Sequence, residues 1–193
     1  MIETESVESN STIIMKRDGF SFEKLDNKCY YTTFDIKNQN LNLSDIINFD
    51  LIKVLYDLNP DIYDLVEIEK INDNEANIII VMKHLFKDLG IPQKYSYLNI
   101  KLLKTKRFFK FESKPIKRSK PSHVPISAEV VDFDCIETIG EFITNNHVLV
   151  KNYTYIGSVT NTMSYFDKIA ASITFKIINR LIIFISNYNN SMS

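Results

Sequence analysis

Tryptophan is absent from this chain of 193 residues, and glycine (four) and cysteine (two) are scarce. With so few glycines the sequence contains no GxGxxG pattern and no P-loop, which excludes the common nucleotide-binding loops. Cys29 and Cys135 belong to no CxxC pair, so a zinc site of that type is excluded as well. Two isolated cysteines favour free thiols in a reducing compartment.

Long apolar runs are also missing. The longest uninterrupted run near the C-terminus covers five residues, 181–185, where a membrane span needs roughly 20. Residues 1–10 are acidic and polar and have no apolar core of a signal peptide. We therefore expect no transmembrane segment and an intracellular, cytoplasmic location, or a host cell or virion if the abundant Asn, Ile and Lys reflect a viral genome.

No catalytic pattern is visible. The histidines (His84, His123 and His147) lie in separate segments without metal-ligand spacing, and no nucleophile has a base nearby. Four acids cluster around one predicted strand: Asp132, Asp134, Glu137 and Glu141. They could bind a cation or form the solvated face of that strand. We expect no catalytic residue, no metal and no cofactor, so an enzyme of the cyclase or hydratase type is the least supported class.

The composition is that of a folded protein, with 45% hydrophobic and 24% charged residues. A flexible, acidic and Ser-rich tail is predicted at residues 1–11, and a single domain at 12–193. Alternation predicts a strand at 29–37, where Tyr30, Thr32, Phe34 and Ile36 share one face. Strands at 65–71, 76–86, 94–103 and 107–113 follow as an antiparallel meander, and two more are predicted at 126–139 and 147–157.

Two helices are predicted. The first covers residues 44–58, in one or two pieces, with Ser44 as its N-cap. The second covers 164–188 and carries two neighbouring apolar rows. The main row is Phe166, Ala170, Ile173, Ile177, Leu181, Phe184 and Tyr188, and the second row is Ala171, Ile178, Ile182 and Ile185. So broad an apolar face needs a large partner surface, which we expect to be the sheet.

Three segments carry a resemblance to a known superfamily. The first is a helix at residues 51–58, which leads through a turn with Pro60 and Tyr63 into a strand. The second is a strand–turn–strand at residues 101–111. The third is the strand at residues 147–155, which comes before the long helix. This order resembles the helix-grip fold of the START-like superfamily, which includes polyketide cyclase-like, coenzyme Q-binding and Bet v-type proteins. The resemblance implies an α+β fold in which a curved antiparallel sheet wraps around a long C-terminal helix.

A sheet that curves around a helix encloses a space between the two. If the space is open, it suits a lipid or another hydrophobic small molecule held by a few polar anchors. We predict hydroxyl anchors at Tyr97, Tyr153 and Tyr155 and walls at Phe34, Ile173 and Ile177. The same residues could instead be ordinary core and strand-face side chains.

The charge is uneven along the chain. Residues 101–120 hold nine basic residues and one acid, although the whole chain has a net charge of −1. A basic, Pro-rich and exposed loop is predicted at 114–125. The predicted anion- or partner-binding residues are Lys104, Lys106, Arg107, Lys110, Lys117 and Arg118. They could contact an anionic membrane, single-stranded nucleic acid or a protein, or be a solvated face.

Two functions are therefore open. The first is non-enzymatic binding of a hydrophobic ligand in a sheet–helix cavity, with the basic hairpin on an anionic surface or partner. The alternative is an interaction or structural protein, viral sources included, that has a filled core and a basic face for nucleic acid or protein. The volume between sheet and helix distinguishes the two.

Overall fold

The computed structural model describes residues 11–157 and 164–188, so the predicted tail lies outside the described residues except for Ser11. The strands are β1 (Thr12–Arg17), β2 (Phe20–Lys24), β3 (Cys29–Lys37), β4 (Tyr63–Asn72), β5 (Glu75–Met82), β6 (Lys94–Lys104), β7 (Phe108–Pro115), β8 (Glu129–Val130), β9 (Phe133–Thr144) and β10 (His147–Ile156). The helices are α1 (Leu43–Ile46), α2 (Phe49–Asp57) and α3 (Ser164–Asn187), and a 3₁₀ turn covers Lys87–Leu89.

The strands form one sheet in the order β1-β2-β3-β10-β9-β7-β6-β5-β4, with the short β8 beside β6. All pairs are antiparallel except β8 with β6. The meander from β4 to β7 is therefore confirmed, and β10 completes the sheet by pairing with β3, from His147 opposite Lys37 to Tyr155 opposite Cys29. With the helices against one face of this sheet, the fold is the predicted α+β helix-grip architecture.

Strand alternation directs one set of apolar side chains to the inner, helix-facing side of the sheet. Phe34 and Ile36 on β3, Ile78 on β5 and Val148 and Val150 on β10 are all buried in one core. Helices α1 and α2 follow β3 and place Leu43, Ile47 and Phe49 against the same core. The core therefore lies between the sheet and the helices, which is where the candidate site is found.

The first predicted helix is two helices, and its cap is not Ser44. Asn48 is the N-cap of α2, and its side-chain oxygen accepts hydrogen bonds from the N–H groups of Asp50 and Leu51 at 2.9 and 3.1 Å. An amide side chain at this position satisfies N–H groups that the first turn leaves without partners. Ser44 lies inside the four-residue α1 instead.

Helix α3 has the predicted length, and its two apolar rows are buried to different extents. Ala171, Ile178 and Ile185 of the second row are buried, together with Leu181. Ile173 and Ile177 are only half-buried, and Phe184 and Tyr188 are exposed. Each buried side chain of Ile or Leu size contributes about 1.5–3 kcal/mol to stability. The row that faces the sheet therefore supplies most of the free energy that holds α3 against it.

Polar contacts select the rotation of α3. Asp61, between α2 and β4, accepts a hydrogen bond from Lys176 at 2.5 Å and another from the Arg180 guanidinium. At the start of α3, the Tyr30 hydroxyl donates to Asp167, and Lys24 lies 3.4 Å from the same carboxylate. These contacts are compatible only with a helix rotation that turns the polar row away from the core, and they reinforce the burial of the second apolar row.

Most of the predicted loop at 114–125 is exposed, and its first two residues belong to β7. Residues 116–128, which we call the strap, fold back over the outer face of the sheet. There Val124 and Ala128 are buried against Ile79, Val81 and Tyr95. The Pro and Lys content predicts the exposure of this segment but not the contact that buries Val124 and Ala128.

Among the described residues one helix, Tyr165–Asn187, is long and apolar enough to cross a membrane, with a mean hydropathy of 1.7 over its best window. Length and composition alone give this result, and core helices of globular proteins meet the same criterion. The absence of a transmembrane segment stays a prediction.

We predict that Asp61→Asn lowers the melting temperature at pH 7, because it removes the charge that pairs with Lys176 and Arg180. These partners lower the pKa of Asp61 from its usual 3.8. A lowered folded-state pKa stabilises the fold above the unfolded-state pKa, and this contribution is lost as the pH falls through the folded-state value. Thermal unfolding followed by circular dichroism should therefore show the two proteins converging as the pH drops below about 4.

Asp57→Asn is the matched control, since Asp57 pairs with Lys53 within α2 at an exposed position. It should change the melting temperature little. An equal effect of the two substitutions at pH 7 would contradict the anchoring role of Asp61.

Candidate ligand-binding cavity

A cavity of about 390 Å³ lies between the inner face of the sheet and the helices. Its sheet wall comes from β3, β4, β5, β6, β7, β9 and β10, with Phe34, Ile80 and Val150 among the lining residues. Opposite the sheet, α2 supplies Leu51, Ile52, Leu55 and Tyr56, whereas Leu181 is the only lining residue from the described part of α3. The volume lies in the range of roughly 300–1,000 Å³ that is usual for small-molecule sites.

The lining has no charged side chain among the described residues. Its polar groups are neutral. The amide of Asn152 donates to the hydroxyl of Thr138 at 2.8 Å, across β10 and β9. The hydroxyls of Ser96 and Ser113, both on buried residues, make no hydrogen bond within residues 11–157 and 164–188. They are available to a bound molecule.

Two tyrosines line the cavity beside α2. The rings of Tyr56 and Tyr63 meet edge to face, with centroids 4.8 Å apart. Burial raises the pKa of both phenols well above the usual value of 10.0. Both therefore remain neutral hydroxyls over the whole physiological range, able to donate a hydrogen bond but unsuited to act as bases.

An aromatic cluster forms the end of the cavity near β7 and β9. Phe109 and Phe111 pack edge to face with centroids 5.7 Å apart, and Phe49 lies 6.0 Å from Phe111. Gly140 of β9 lies opposite Phe109, and a Cβ at this glycine would be 2.0 Å from the ring. The absence of a side chain at residue 140 is what lets the ring lie flat against the sheet.

Of the six predicted ligand-binding residues, Phe34 lines the cavity. Tyr97, Tyr153 and Tyr155 lie on the outer face instead. Tyr97 is covered by Arg118, and Tyr153 stacks with Tyr155 at 6.5 Å between centroids. The physical reason is the two-residue period of a strand: Leu98, Val148 and Val150 face inward, so these odd-numbered tyrosines face outward.

Ile173 and Ile177 do not line the cavity either. The rotation of α3 that places Ile178 and Leu181 toward the core turns these two residues away from it.

Four further lining residues were not predicted from the sequence: Tyr56, Tyr63, Ser96 and Ser113. Alternation gave a usable signal for the two serines, because Ser96 shares the face of Leu98 and Ser113 that of Phe111.

The six predicted basic residues divide into two groups. Lys104 donates to the carbonyls of Ser44 and Ile47 near α1, and Lys110 pairs with Glu137 at 2.5 Å. Arg118 lies 5.1 Å from the centroid of Tyr97 and 3.8 Å from Glu69. These three are therefore partly engaged within the protein.

The other three basic residues have free side chains. Lys106 and Arg107 in the β6–β7 turn and Lys117 in the strap are exposed, and their side chains form no ion pair within the described ranges. A role in binding an anion or partner stays a prediction for all six residues.

A second cluster lies on the outer face. Glu112, Cys135 and Glu137 each bring one potential ligand atom within 4.8 Å of the others. The carboxylates already pair with lysines, Glu112 with Lys114 at 2.6 Å and Glu137 with Lys110. Burial and the neighbouring carboxylates raise the pKa of the Cys135 thiol, which makes it a poorer metal ligand at neutral pH. This cluster is better described as an ion-pair network than as a metal centre.

No family model and no curated protein matches the sequence. Similar solved structures exist: the human StarD13 (DLC2) lipid transfer and protein localization domain has a TM-score of 0.68 at 6% identity, covering 93% of this chain and 91% of that one. Human STARD10 gives 0.66 at 8% identity (93% and 75%), and a STAR-related lipid transfer protein from Xanthomonas axonopodis gives 0.63 at 11% (91% and 98%).

The chain has the START-like helix-grip fold. At these identities the similarity shows the fold alone, and the resemblance inferred from element order is confirmed at that level.

Gly140→Ala is expected to destabilise the protein by about 1–3 kcal/mol, because its Cβ overlaps the Phe109 ring. Urea unfolding measures this loss. The double variant Gly140→Ala/Phe109→Leu should recover part of it, since the smaller side chain gives way.

The exposed Ile143→Ala on the same strand is the control and should have little effect. A Gly140→Ala protein as stable as the parent would show that the ring does not depend on this close approach.

Proposed function

We propose that this protein binds a lipid or another hydrophobic small molecule in the cavity between sheet and helices, without catalysing a reaction. The observation that carries the proposal is the lining, in which apolar side chains surround a few neutral hydroxyl and amide groups. Burial of apolar ligand surface drives such binding, and the hydroxyls orient the ligand.

The similarity to STAR-related lipid transfer structures supports the same proposal at the level of fold. A filled core, the alternative that the sequence left open, is less well supported because the space measures about 390 Å³. Acid–base catalysis finds little support in the lining, where the only titratable side chains among the described residues are two tyrosines with raised pKa values.

The proposal extends to the basic hairpin, whose exposed turn would contact an anionic membrane surface. Lys106 and Arg107 form no ion pair with any residue that the structure describes, and each basic residue near an anionic bilayer contributes about 1 kcal/mol. A reducing, cytoplasmic location is part of the proposal, supported by the free thiols of Cys29 and Cys135.

Val150→Phe should abolish binding of a hydrophobic probe without unfolding the protein, since the added ring enters open space in the cavity. The probe is the methyl ester of cis-parinaric acid, followed by its fluorescence, and native mass spectrometry of the purified protein reports any ligand carried from expression. Leu103→Phe is the control, because it adds an aromatic ring at an exposed position of β6. If the parent protein binds no probe and carries no ligand, the proposed function is wrong.

Lys106→Glu/Arg107→Glu should weaken binding to vesicles of phosphatidylserine and phosphatidylcholine at least tenfold, because it reverses two charges at the surface. Co-sedimentation at several salt concentrations measures the change, and the parent's binding should fall as salt rises. Lys28→Glu/Lys83→Glu makes the same change in net charge at the opposite end of the sheet. Equal weakening by both pairs would indicate a general charge effect and no contact at the turn.

A further inference from the structure

The sheet has a break beside β6, where two separate segments, one after β7 and one after β8, pair with the same edge of this strand. The Tyr97 carbonyl accepts a hydrogen bond from the N–H of Ile116 at 2.9 Å, just after β7 ends. Two residues away, the Tyr95 carbonyl accepts from the N–H of Val131 at 2.8 Å, just after β8. Between these two hydrogen bonds the chain leaves the sheet as the strap and returns.

An outer groove of about 640 Å³ lies at this break. Four residues that line the groove also line the inner cavity: Ser96, Leu98, Val131 and Phe133. The inner cavity and the outer groove are thus bounded by the same side chains, at the one point where β7 does not continue along β6. Phe133 and Val131 are half-buried side chains at the return of the strap.

Ser96 gives this boundary a polar group. Its residue is only 6% exposed, and its hydroxyl forms no hydrogen bond to the rest of the described chain. Because no buried side-chain oxygen among the described residues lacks a hydrogen-bond partner, the Ser96 oxygen is open to the cavity or the groove, where it can bond to a ligand or a water. An interior wall packed only for stability would favour an apolar residue at this position.

The outer groove is charged, in contrast to the inner cavity. Lys117 and Arg118 of the strap line it, and Asp132 supplies the opposing charge. The side chain of Lys117 has no ion-pair partner in the described part of the chain, and Arg118 is more than half exposed despite its contacts with Tyr97 and Glu69. The groove therefore offers one cation that is free and a second that can turn toward an anion.

We infer that the break between β7 and β8 is an opening of the cavity, and that Lys117 and Arg118 bind the anionic headgroup of a single-chain amphiphile there. The apolar chain lies among the uncharged side chains inside, and the carboxylate or phosphate stays at the hydrated surface, where its charge is not buried. Ser96 contacts the polar end of the ligand at the boundary. This inference rests on the proposed function, since it requires a hydrophobic ligand in the cavity.

The first experiment compares cis-parinaric acid with its uncharged methyl ester by fluorescence titration. The parent protein should bind the acid about tenfold more tightly, the effect of one charge-assisted hydrogen bond. Lys117→Glu should remove this preference and leave the affinity for the ester unchanged. Lys37→Glu, an equal change of charge at an exposed position at the other end of the sheet, should leave the preference intact.

Displacement identifies the headgroup. Stronger displacement of the probe by oleate than by lysophosphatidate indicates a carboxylate site, and the reverse indicates a phosphate site. If acid and ester bind the parent equally, or if Lys117→Glu and Lys37→Glu act alike, the headgroup site is overturned while the proposed function stands. If neither probe binds, the proposed function fails and the inference fails with it.

The opening itself is tested by the rate of ligand entry. Val131→Phe narrows the boundary at a half-buried position that tolerates a larger side chain, and stopped-flow fluorescence with the methyl ester should show association slowed at least fivefold. Circular dichroism and thermal unfolding confirm that the variant is folded. An unchanged association rate in a folded variant would place the entry of ligands elsewhere.

Discussion

The rotation of α3 about its axis sets which helix supplies each part of the cavity wall. Two apolar rows run along this helix, and Ala171, Ile178 and Ile185 of one row are buried. Asp61 pairs with Lys176 and Arg180 at the junction between α2 and β4, and these partly exposed pairs reinforce the rotation that apolar burial favours. With Ala171, Ile178 and Ile185 facing the sheet, α3 covers β1 and β3. Helix α2 then forms the cavity wall opposite β5 to β9.

Charge is distributed in the same way throughout the molecule. Inside the cavity the described lining is neutral, and even its two tyrosines are held in the uncharged form by burial. On the outer face, ion pairs connect neighbouring strands, such as Lys110 with Glu137 and Lys151 with Glu141. The strap adds Arg118 over Tyr97 and Lys120 over Tyr95, where cations cover aromatic rings that would otherwise be exposed. The fold thus keeps an apolar interior beneath an exterior that carries charges of both signs.

The sequence was sufficient to predict the elements and their order because alternation and helical period are local signals. It also contained the faces of the strands. The inward positions of Leu98 and Val150 imply outward positions for Tyr97, Tyr153 and Tyr155, and the choice of these tyrosines as anchors did not follow that parity. Three features depend on contacts between residues distant in sequence, so they could not be predicted from local patterns. They are the contacts of Asp61 with α3, the packing of Val124 on Ile79, and the enclosure of Tyr63 beside Tyr56.

The pairing of β3 with β10 affects the order in which the sheet forms during folding. These strands are neighbours in the middle of the sheet, yet more than a hundred residues separate Lys37 from His147 along the chain. The meander from β4 to β7 can form from local hairpins, whereas the centre of the sheet must wait for a contact of high sequence separation, whose loop-closure entropy has to be overcome first. Until β10 arrives, β3 and β9 each present an unpaired edge to other chains. During synthesis this central seam is the last part of the sheet to close, and it is the place where an unfinished molecule is most exposed to aggregation.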